Sequence, residues 1–206
     1  SLNDKSVFLD RKIKNKTTIL GNTRFQENWV EYLNHKSKDI NLKISKKHKL
    51  VLMLSKIEYG VKLDSLIETL EYLSKIDDVT LIIKPHTRGM NVKKIINEKK
   101  YDNIIIGEEY DSSTLIKWAS HVLFTGSSII FQAMMLQKKC IFLKNCLSVN
   151  SIFDNTDSVF ILNELNKLSD IIKTKNIEKN KVVNFLKKEV FKNGNSNSAN
   201  ELIYKT

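Results

Sequence analysis

Short apolar runs alternate with amphipathic stretches along most of the chain. The runs 50–54, 79–83 and 121–125 are mostly apolar, which is typical of strands buried on both faces of a sheet. Strands of about five residues that alternate with helices of about ten predict βαβ units. We therefore predict an α/β fold, a Rossmann-like parallel sheet flanked by helices. Further strands are predicted at 17–20, 103–106, 140–143 and 159–162.

Apolar residues at helical spacing predict the helices. One amphipathic helix is predicted over 25–34, and Trp29 within it is expected to pack in the core. Asp64 is the expected N-cap of the next helix, and Asp111 or Ser112 is expected to cap a later one. Other helices are predicted at 92–96, 127–136, 163–174, 178–191 and 197–204.

Composition divides the chain into three segments. Residues 1–16 are polar and lysine-rich and are expected to form a lead-in. The alternating pattern predicts a Rossmann-like domain over 17–175, followed by C-terminal helices over 176–206. The chain starts at Ser1 and its first methionine is Met53, so we expect an excised piece of a longer protein. No apolar run approaches the ~20 residues of a membrane span.

The chain is basic, with a formal net charge of +11 over 206 residues. Only three of the 34 cationic residues are arginine, the type preferred for bidentate contacts to phosphates and bases. We attribute the lysine excess to an AT-rich genome and expect no nucleic-acid partner. Cys140 and Cys146 lack CxxC spacing, and the histidines lack metal-ligand spacing, so no metal site is expected. A non-catalytic basic module that binds nucleic acid or anionic lipid remains an open alternative.

The loop after the strand 79–83 is the first candidate site. Parallel α/β sheets bind ligands at the carboxyl ends of their strands. His86 can donate to a phosphate or act as an acid or base, and Arg88 can grip a diphosphate in a fork. Pro85 stiffens the turn that carries them. The alternative is an ordinary loop of solvated charges.

The second candidate site is the turn after the strand 121–125. Gly126 is followed by Ser127 and Ser128, which begin a predicted helix. Free backbone N–H groups and the positive dipole end of a helix favour an anion, and the serine hydroxyls add donors. The alternative is plain N-capping by serine, which needs no ligand.

Two further loops are weaker candidates. Gly107, Glu108 and Tyr110 belong to residues 107–111, the Gly107 loop, which follows a strand and can meet a nucleobase or ribose. A solvated acidic turn is the alternative. Gly21 and Arg24 lie in a loop suited either to a phosphate or to a helix cap.

Five short motifs follow one another in a defined order between residues 17 and 145. They are Leu20-Gly21-Asn22-Thr23-Arg24, Lys84-Pro85-His86, Tyr110-Asp111-Ser112-Ser113, Thr125-Gly126-Ser127-Ser128 and Gln132-Ala133-Met134. Their order resembles the C-terminal half of GT-B fold glycosyltransferases of bacterial surface and capsular polysaccharide synthesis, and the related CDP-glycerol glycerophosphotransferases.

The resemblance implies that this domain binds a nucleotide-sugar donor, while a missing N-terminal domain binds a glycan or lipid-linked acceptor. It implies that His86 and Arg88 contact the donor phosphates, and that Gly126, Ser127 and Ser128 hold the diphosphate. The expected reaction is transfer of a sugar or glycerophosphate to a hydroxyl in the cytoplasm, at the inner face of the membrane. No cofactor is expected beyond this substrate. The isolated fragment is expected to bind nucleotide weakly and to lack turnover.

By the same resemblance, the Gly107 loop faces the nucleobase and Gln132 lies near the ribose. The sequence departs from the family pattern at three places. The usual His-Pro order is reversed at Pro85-His86, Gln132 replaces an acidic residue, and Gln137 replaces a glycine. The catalytic base is not assigned, because it usually lies in the other half of the enzyme.

Two alternatives stay open at this point. A nucleotide-sugar epimerase of similar architecture needs paired acids, for which the chain offers Glu108, Glu109 and Asp111.

The C-terminal helices, with an apolar face that includes Phe185 and Leu186, are expected to pack on the fold; peripheral membrane contact is the alternative.

Overall fold

The computed structural model describes residues 22–42, 46–88, 92–94, 96 and 100–191. The predicted lead-in 1–16, the predicted strand 17–20, Gly21 and the predicted helix 197–204 lie outside these residues. Six strands of the described part form one sheet.

The sheet is parallel throughout. Its strands are β1 (His48–Met53), β2 (Val79–Lys84), β3 (Ile104–Ile106), β4 (His121–Phe124), β5 (Lys139–Phe142) and β6 (Phe160–Ile161). They are ordered β3-β2-β1-β4-β5-β6, so the chain changes direction across the sheet between β1 and β4. This sheet and its flanking helices confirm the predicted Rossmann-like α/β fold.

Six α-helices flank the sheet in the described residues. They are α1 (Glu27–Lys36), α2 (Leu63–Ser74), α3 (Ser112–Trp118), α4 (Ile130–Met135), α5 (Leu168–Lys173) and α6 (Lys179–Glu189). Short 3₁₀ turns lie at Thr23–Phe25, Ile57–Tyr59, Val92–Lys94, Lys144–Cys146 and Leu165–Lys167.

The core is built from strand residues that are buried on both faces. Residues 50–53 of β1 and 81–83 of β2 are at most 2% exposed. The centroid of the Phe153 ring lies 4.9 Å from that of Phe124, which is on β4, and 5.4 Å from that of Phe185, which is on α6. The last described helix therefore closes on the same core as the sheet.

The predicted packing of Trp29 is wrong. Its side chain is 46% exposed and stacks on Tyr32, with the ring centroids 5.2 Å apart. Val30, one position later on α1, is the residue that is buried. The buried face of α1 therefore includes position 30 and not position 29, which is one residue later than the spacing of apolar residues indicated.

The predicted helix caps have different outcomes. Asp64 lies in the first turn of α2, whose N-cap is Lys62, so that prediction is wrong. Asp111 is the N-cap of α3, because its carboxylate accepts a hydrogen bond of 2.8 Å from the backbone N–H of Thr114. This prediction is confirmed.

Candidate functional site

A cavity of about 430 Å³ opens at the carboxyl ends of the central strands. Its walls come from the segments after β1, β2 and β4, from the start of α3, and from the 3₁₀ turn before α1. Open parallel sheets bind ligands where the strand order reverses, which here is between β1 and β4. The cavity therefore lies where the topology itself predicts a ligand site.

The cavity is lined by basic side chains. They are Arg24, Lys56, Lys84, His86 and Arg88. No acidic residue lines it within the described part of the chain, and no described carboxylate pairs with any of the five. A cleft lined by charge of one sign concentrates ions of the opposite sign. The cavity is therefore suited to an anionic ligand.

The fold brings several candidate residues together from distant parts of the chain. His86 and Arg88 follow β2, Ser127 and Ser128 follow β4, and Arg24 precedes α1, yet all five line one cavity. The convergence arises because parallel strands deliver their following loops to the same edge of the sheet. The phosphate-binding role of these residues remains a prediction.

One hydrogen bond defines the chemistry of the His86 ring. Its Nδ1 accepts from the backbone N–H of Arg88 at 3.1 Å. A neutral imidazole carries one N–H, so this contact assigns the ring hydrogen to Nε2. In the neutral state His86 therefore keeps Nε2–H as a donor for a ligand oxygen.

The turn 127–129 supplies further donors to the cavity wall. Helix α4 begins at Ile130 and not at Ser127, so the predicted start of the helix is three residues too early. No described group accepts a hydrogen bond from the backbone N–H of Ser127, Ser128 or Ile129, all of which line the cavity. The turn therefore holds three amide donors and two hydroxyls there.

A buried hydroxyl pair lies beneath this turn. Ser55 follows β1 and Thr125 follows β4, and their side-chain oxygens are 2.9 Å apart. Gly126, the next residue, has a φ of 148°, which L side chains rarely adopt, although a Cβ there would make only ordinary contacts of 3.9 Å with the Ser55 side chain. Backbone conformation, and not crowding, therefore favours glycine at this position.

The Gly107 loop lies outside the cavity lining. Gly107 is buried, and a Cβ there would lie 2.5 Å from the Ile82 Cγ2 atom, so close packing explains the glycine. The Glu108 carboxylate pairs with Lys93 at 3.1 Å, and Tyr110 packs half-buried against the core. Contact of this loop with a nucleobase stays a prediction.

Gln132 also lies outside the cavity lining. It is 2% exposed, and its side-chain amide exchanges hydrogen bonds of 3.0 and 3.3 Å with the hydroxyl of Ser113. These bonds join α4 to α3. Contact of Gln132 with a ribose is likewise still a prediction.

Three polar residues of the cavity lining lie outside the loops that the sequence predicts as sites. Lys56 and Tyr59 follow β1, and Ser112 is the first residue of α3. The position of Lys56 and Tyr59 after a buried strand was the available signal, since such positions gather at one edge of the sheet. For Ser112 the sequence predicts a helix cap and a place in the Tyr110–Ser113 motif, but no contact with a ligand.

The described part of the chain shows no metal centre and no membrane-spanning helix. None of its groups of His, Cys, Asp and Glu is arranged to hold a metal ion. None of its helices has the length and apolar character to cross a bilayer. Burial raises the pKa of the thiols of Cys140 and Cys146, as expected of small apolar packing residues.

No family model matches the sequence, and a search of curated proteins gives no significant match. Solved structures do match it in fold. One is the UDP-GlcNAc 2-epimerase of Methanocaldococcus jannaschii in complex with UDP-GlcNAc and UDP, with a TM-score of 0.57 and 19% identity over 98% of this chain and 58% of that chain.

Two other solved structures match over more than four fifths of this chain. A variant of the wall teichoic acid polymerase TagF soaked with CDPG has a TM-score of 0.51 and 19% identity, covering 89% of this chain and 49% of that one. The glycotransferase of kitacinnamycin has a TM-score of 0.54 and 11% identity, covering 82% and 46%. At these levels of identity the matches show the fold alone, and this chain shares its Rossmann-like α/β fold with part of each structure. It spans roughly half the length of each.

Proposed function

We propose that this chain is the donor-binding domain of a glycosyltransferase in bacterial surface polysaccharide synthesis. The domain binds a nucleotide-activated sugar, and a further part of the enzyme holds the acceptor hydroxyl. The observation that carries the proposal is the cavity at the switch point of the sheet, lined by five basic side chains and three serines. A nucleoside diphosphate matches this charge and this density of donors.

The cavity residues bind the diphosphate and stabilise it as the leaving group. When the bond between the sugar carbon and the diphosphate oxygen breaks, the oxygen keeps the electron pair and gains negative charge. The Nε2–H of His86, whose ring is held by the Arg88 backbone N–H, and the amides of the 127–129 turn are donors in position before that charge develops, and the Arg88 side chain adds positive charge. Fixed donors of this kind stabilise developing charge without reorganisation.

The neighbouring structures support this ligand class. One of them holds UDP-GlcNAc and UDP, and another was soaked with CDPG. Because this chain spans about half of each, the acceptor site and the catalytic base belong to a part of the enzyme beyond this domain.

A nucleotide-sugar epimerase is the second candidate, since epimerase structures match over 98% of the chain. Such an enzyme needs paired acids beside the sugar. Glu108, Glu109 and Asp111 do not line the cavity, which favours the transferase. Product analysis of the full-length protein distinguishes the two: an epimerase releases an altered sugar, and a transferase extends an acceptor.

The test is calorimetric titration of this chain with UDP, CDP, CMP and GDP. We expect one nucleoside diphosphate to bind. His86→Ala and Ser128→Ala should each lower the affinity for it about tenfold, the usual effect of losing a charge-assisted hydrogen bond. Lys167→Ala is the matched control. Lys167 is exposed, pairs with Glu164 and lies outside the cavity, so its removal leaves the affinity unchanged.

Two results would contradict the proposal. Unchanged affinity in both cavity variants would place the nucleotide elsewhere. Failure to bind any nucleotide, together with DNA binding that falls by ~0.9 in log affinity per contacted phosphate as log salt rises, would instead identify a basic nucleic-acid module.

A further inference from the structure

An exposed aromatic ring stands on the wall of the basic cavity. Tyr59 lines the cavity, yet it is 62% exposed, more than Trp29 or Tyr32 on α1. A single exposed aromatic ring is ordinary on a protein surface, but an aromatic ring in a cavity lining is a common feature of ligand sites. Neither Trp29 nor Tyr32 lines a cavity with this charge, so the position of Tyr59 is distinctive.

The turn that carries Tyr59 is held rigidly. The backbone N–H of Tyr59 donates to the Lys56 carbonyl at 3.0 Å, closing the turn on one side. On the other side, the carbonyl of Gly60 accepts from both the backbone N–H and the hydroxyl of Ser148, at 2.9 and 3.0 Å. Gly60 has a φ of 86°, and a Cβ there would lie 2.8 Å from Val149. The exposed ring is therefore presented by a fixed backbone.

A basic group accompanies the ring. The Lys56 ammonium lies 5.3 Å from the centre of the Tyr59 ring, within the range of a cation–π contact. A ligand lying on this ring thus keeps a positive charge beside it. This pairing suits a ring that is linked directly to a phosphate.

The strand order places Tyr59 beside the residues proposed to bind the diphosphate. His86 and Arg88 follow β2, Ser127 and Ser128 follow β4, and β1, which Tyr59 follows, lies between these two strands. In a nucleotide sugar the transferred sugar is bonded directly to the diphosphate, whereas the base is separated from it by the ribose. The ring that meets Tyr59 beside the bound diphosphate is therefore the sugar.

We propose that Tyr59 is a stacking platform for the transferred sugar ring and makes the site prefer a cyclic sugar over an open-chain group such as glycerol. The inference depends on the proposed function, because it takes the diphosphate to be bound by the basic residues. Aromatic rings offer a large, rigid contact surface at low entropic cost.

The experiment compares Tyr59→Ala with Tyr59→Phe in calorimetric titrations of four ligands: UDP, UDP-GlcNAc, CDP and CDP-glycerol. Tyr59→Ala is expected to weaken the binding of UDP-GlcNAc about five- to tenfold, the effect of losing one aromatic contact. The affinity for UDP should change by no more than about twofold. Tyr59→Phe retains the ring and the wild-type affinity. Tyr32→Ala, which removes an exposed tyrosine outside the cavity, is the matched control.

Three results would overturn the inference. Equal losses for UDP and UDP-GlcNAc would show that Tyr59 contacts the nucleoside or diphosphate, and no loss for UDP-GlcNAc would show that the ring is not used. A similar loss for CDP-glycerol in a chain that binds it would exclude a preference for cyclic sugars. If the wild-type chain binds neither these four ligands nor GDP, the proposed function itself fails, and that outcome is distinct from the other three.

Discussion

The hydroxyl of Ser55 lies 2.9 Å from the hydroxyl of Thr125 and joins the carboxyl ends of β1 and β4. The same Thr125 oxygen accepts the backbone N–H of Ser55 at 3.0 Å. Both residues are buried, at 8% and 1% exposure. Because the strand order reverses between these two strands, the pair sets the spacing between two walls of the cavity.

Thr125→Val is expected to lower the free energy of unfolding by about 1–3 kcal/mol. Valine keeps the shape of the side chain but removes the acceptor, so the buried N–H of Ser55 loses its partner. Urea denaturation followed by circular dichroism measures the loss. Thr174→Val is the control, since the Thr174 hydroxyl lies exposed at the end of α5 and the change should stay within about 0.5 kcal/mol. Equal midpoints for the two variants would disprove a buried role for the pair.

Gly107→Ala is expected to destabilise the fold by about 1–3 kcal/mol, because the new Cβ would lie 2.5 Å from the Ile82 Cγ2 atom. A double-mutant cycle with Ile82→Ala tests this contact. Ile82→Ala removes the methyl group, so Gly107→Ala should cost less in that background than in the wild type. If the losses in the free energy of unfolding for Gly107→Ala and Ile82→Ala simply add in chemical denaturation, a contact other than that with Ile82 requires the glycine.

His121 makes the stability of the fold depend on pH. Burial lowers its pKa from an ordinary 6.5 to about 4, although the hydrogen bond of 3.0 Å from Nε2 to the Ile172 carbonyl acts in the opposite direction. The charges of Lys139 and His48 lower it further. Below pH 6.5 the unfolded chain therefore binds a proton at His121 that the folded chain takes up only near pH 4.

Stability should consequently fall as the pH drops from 6.5 to about 4, by up to about 3 kcal/mol from this residue. His121→Gln removes the titrating group and should flatten this part of the curve. Some slope remains from His48, whose pKa is also lowered by burial. The measurement is urea denaturation at a series of pH values, with exposed His35→Gln as the control. A His121→Gln curve as steep as that of His35→Gln would refute the prediction.

The sheet could be predicted from the sequence because its central strands are buried on both faces and therefore read as mostly apolar runs. The packing side of α1 could not be predicted equally well. Trp29 and Val30 are adjacent and both apolar, so helical spacing alone does not decide which of them faces the core. The surface that α3 and α4 offer to α1 makes that choice, and it is formed only by the folded chain.

The candidate site likewise contains some residues that could be predicted from the sequence and others that could not. His86 and Ser128 could be predicted to converge, because both follow strands whose ends meet at one edge of the sheet. Lys56 and Tyr59 follow such a strand too, but a single lysine and a single tyrosine in a short turn carry no motif. Their place on the cavity wall depends on the conformation of Gly60, which the sequence does not reveal.

Asp111 connects the stability of α3 to the site, because Ser112, the next residue, lines the cavity. One carboxylate oxygen of Asp111 accepts the Thr114 backbone N–H at 2.8 Å, and the other accepts the Thr114 hydroxyl at 2.5 Å. Partial burial would raise the pKa of Asp111, but the hydrogen bonds from the Thr114 hydroxyl and from the backbone N–H groups of Thr114, Ser113 and Asp111 together outweigh it. The pKa therefore lies below its ordinary value of 3.8.

Asp111→Ala should lower the free energy of unfolding by about 1 kcal/mol at pH 7, as the loss of an N-cap does. Because the folded pKa is depressed, this stabilisation is present above pH 3.8 and disappears as the pH falls through the lower folded value. Asp64→Ala is the matched control, since Asp64 lies in the first turn of α2 without capping it and should cost under about 0.5 kcal/mol. Urea denaturation at pH 7 and in acid compares the two variants. A larger loss for Asp64→Ala would restore Asp64 as the cap that the sequence had suggested.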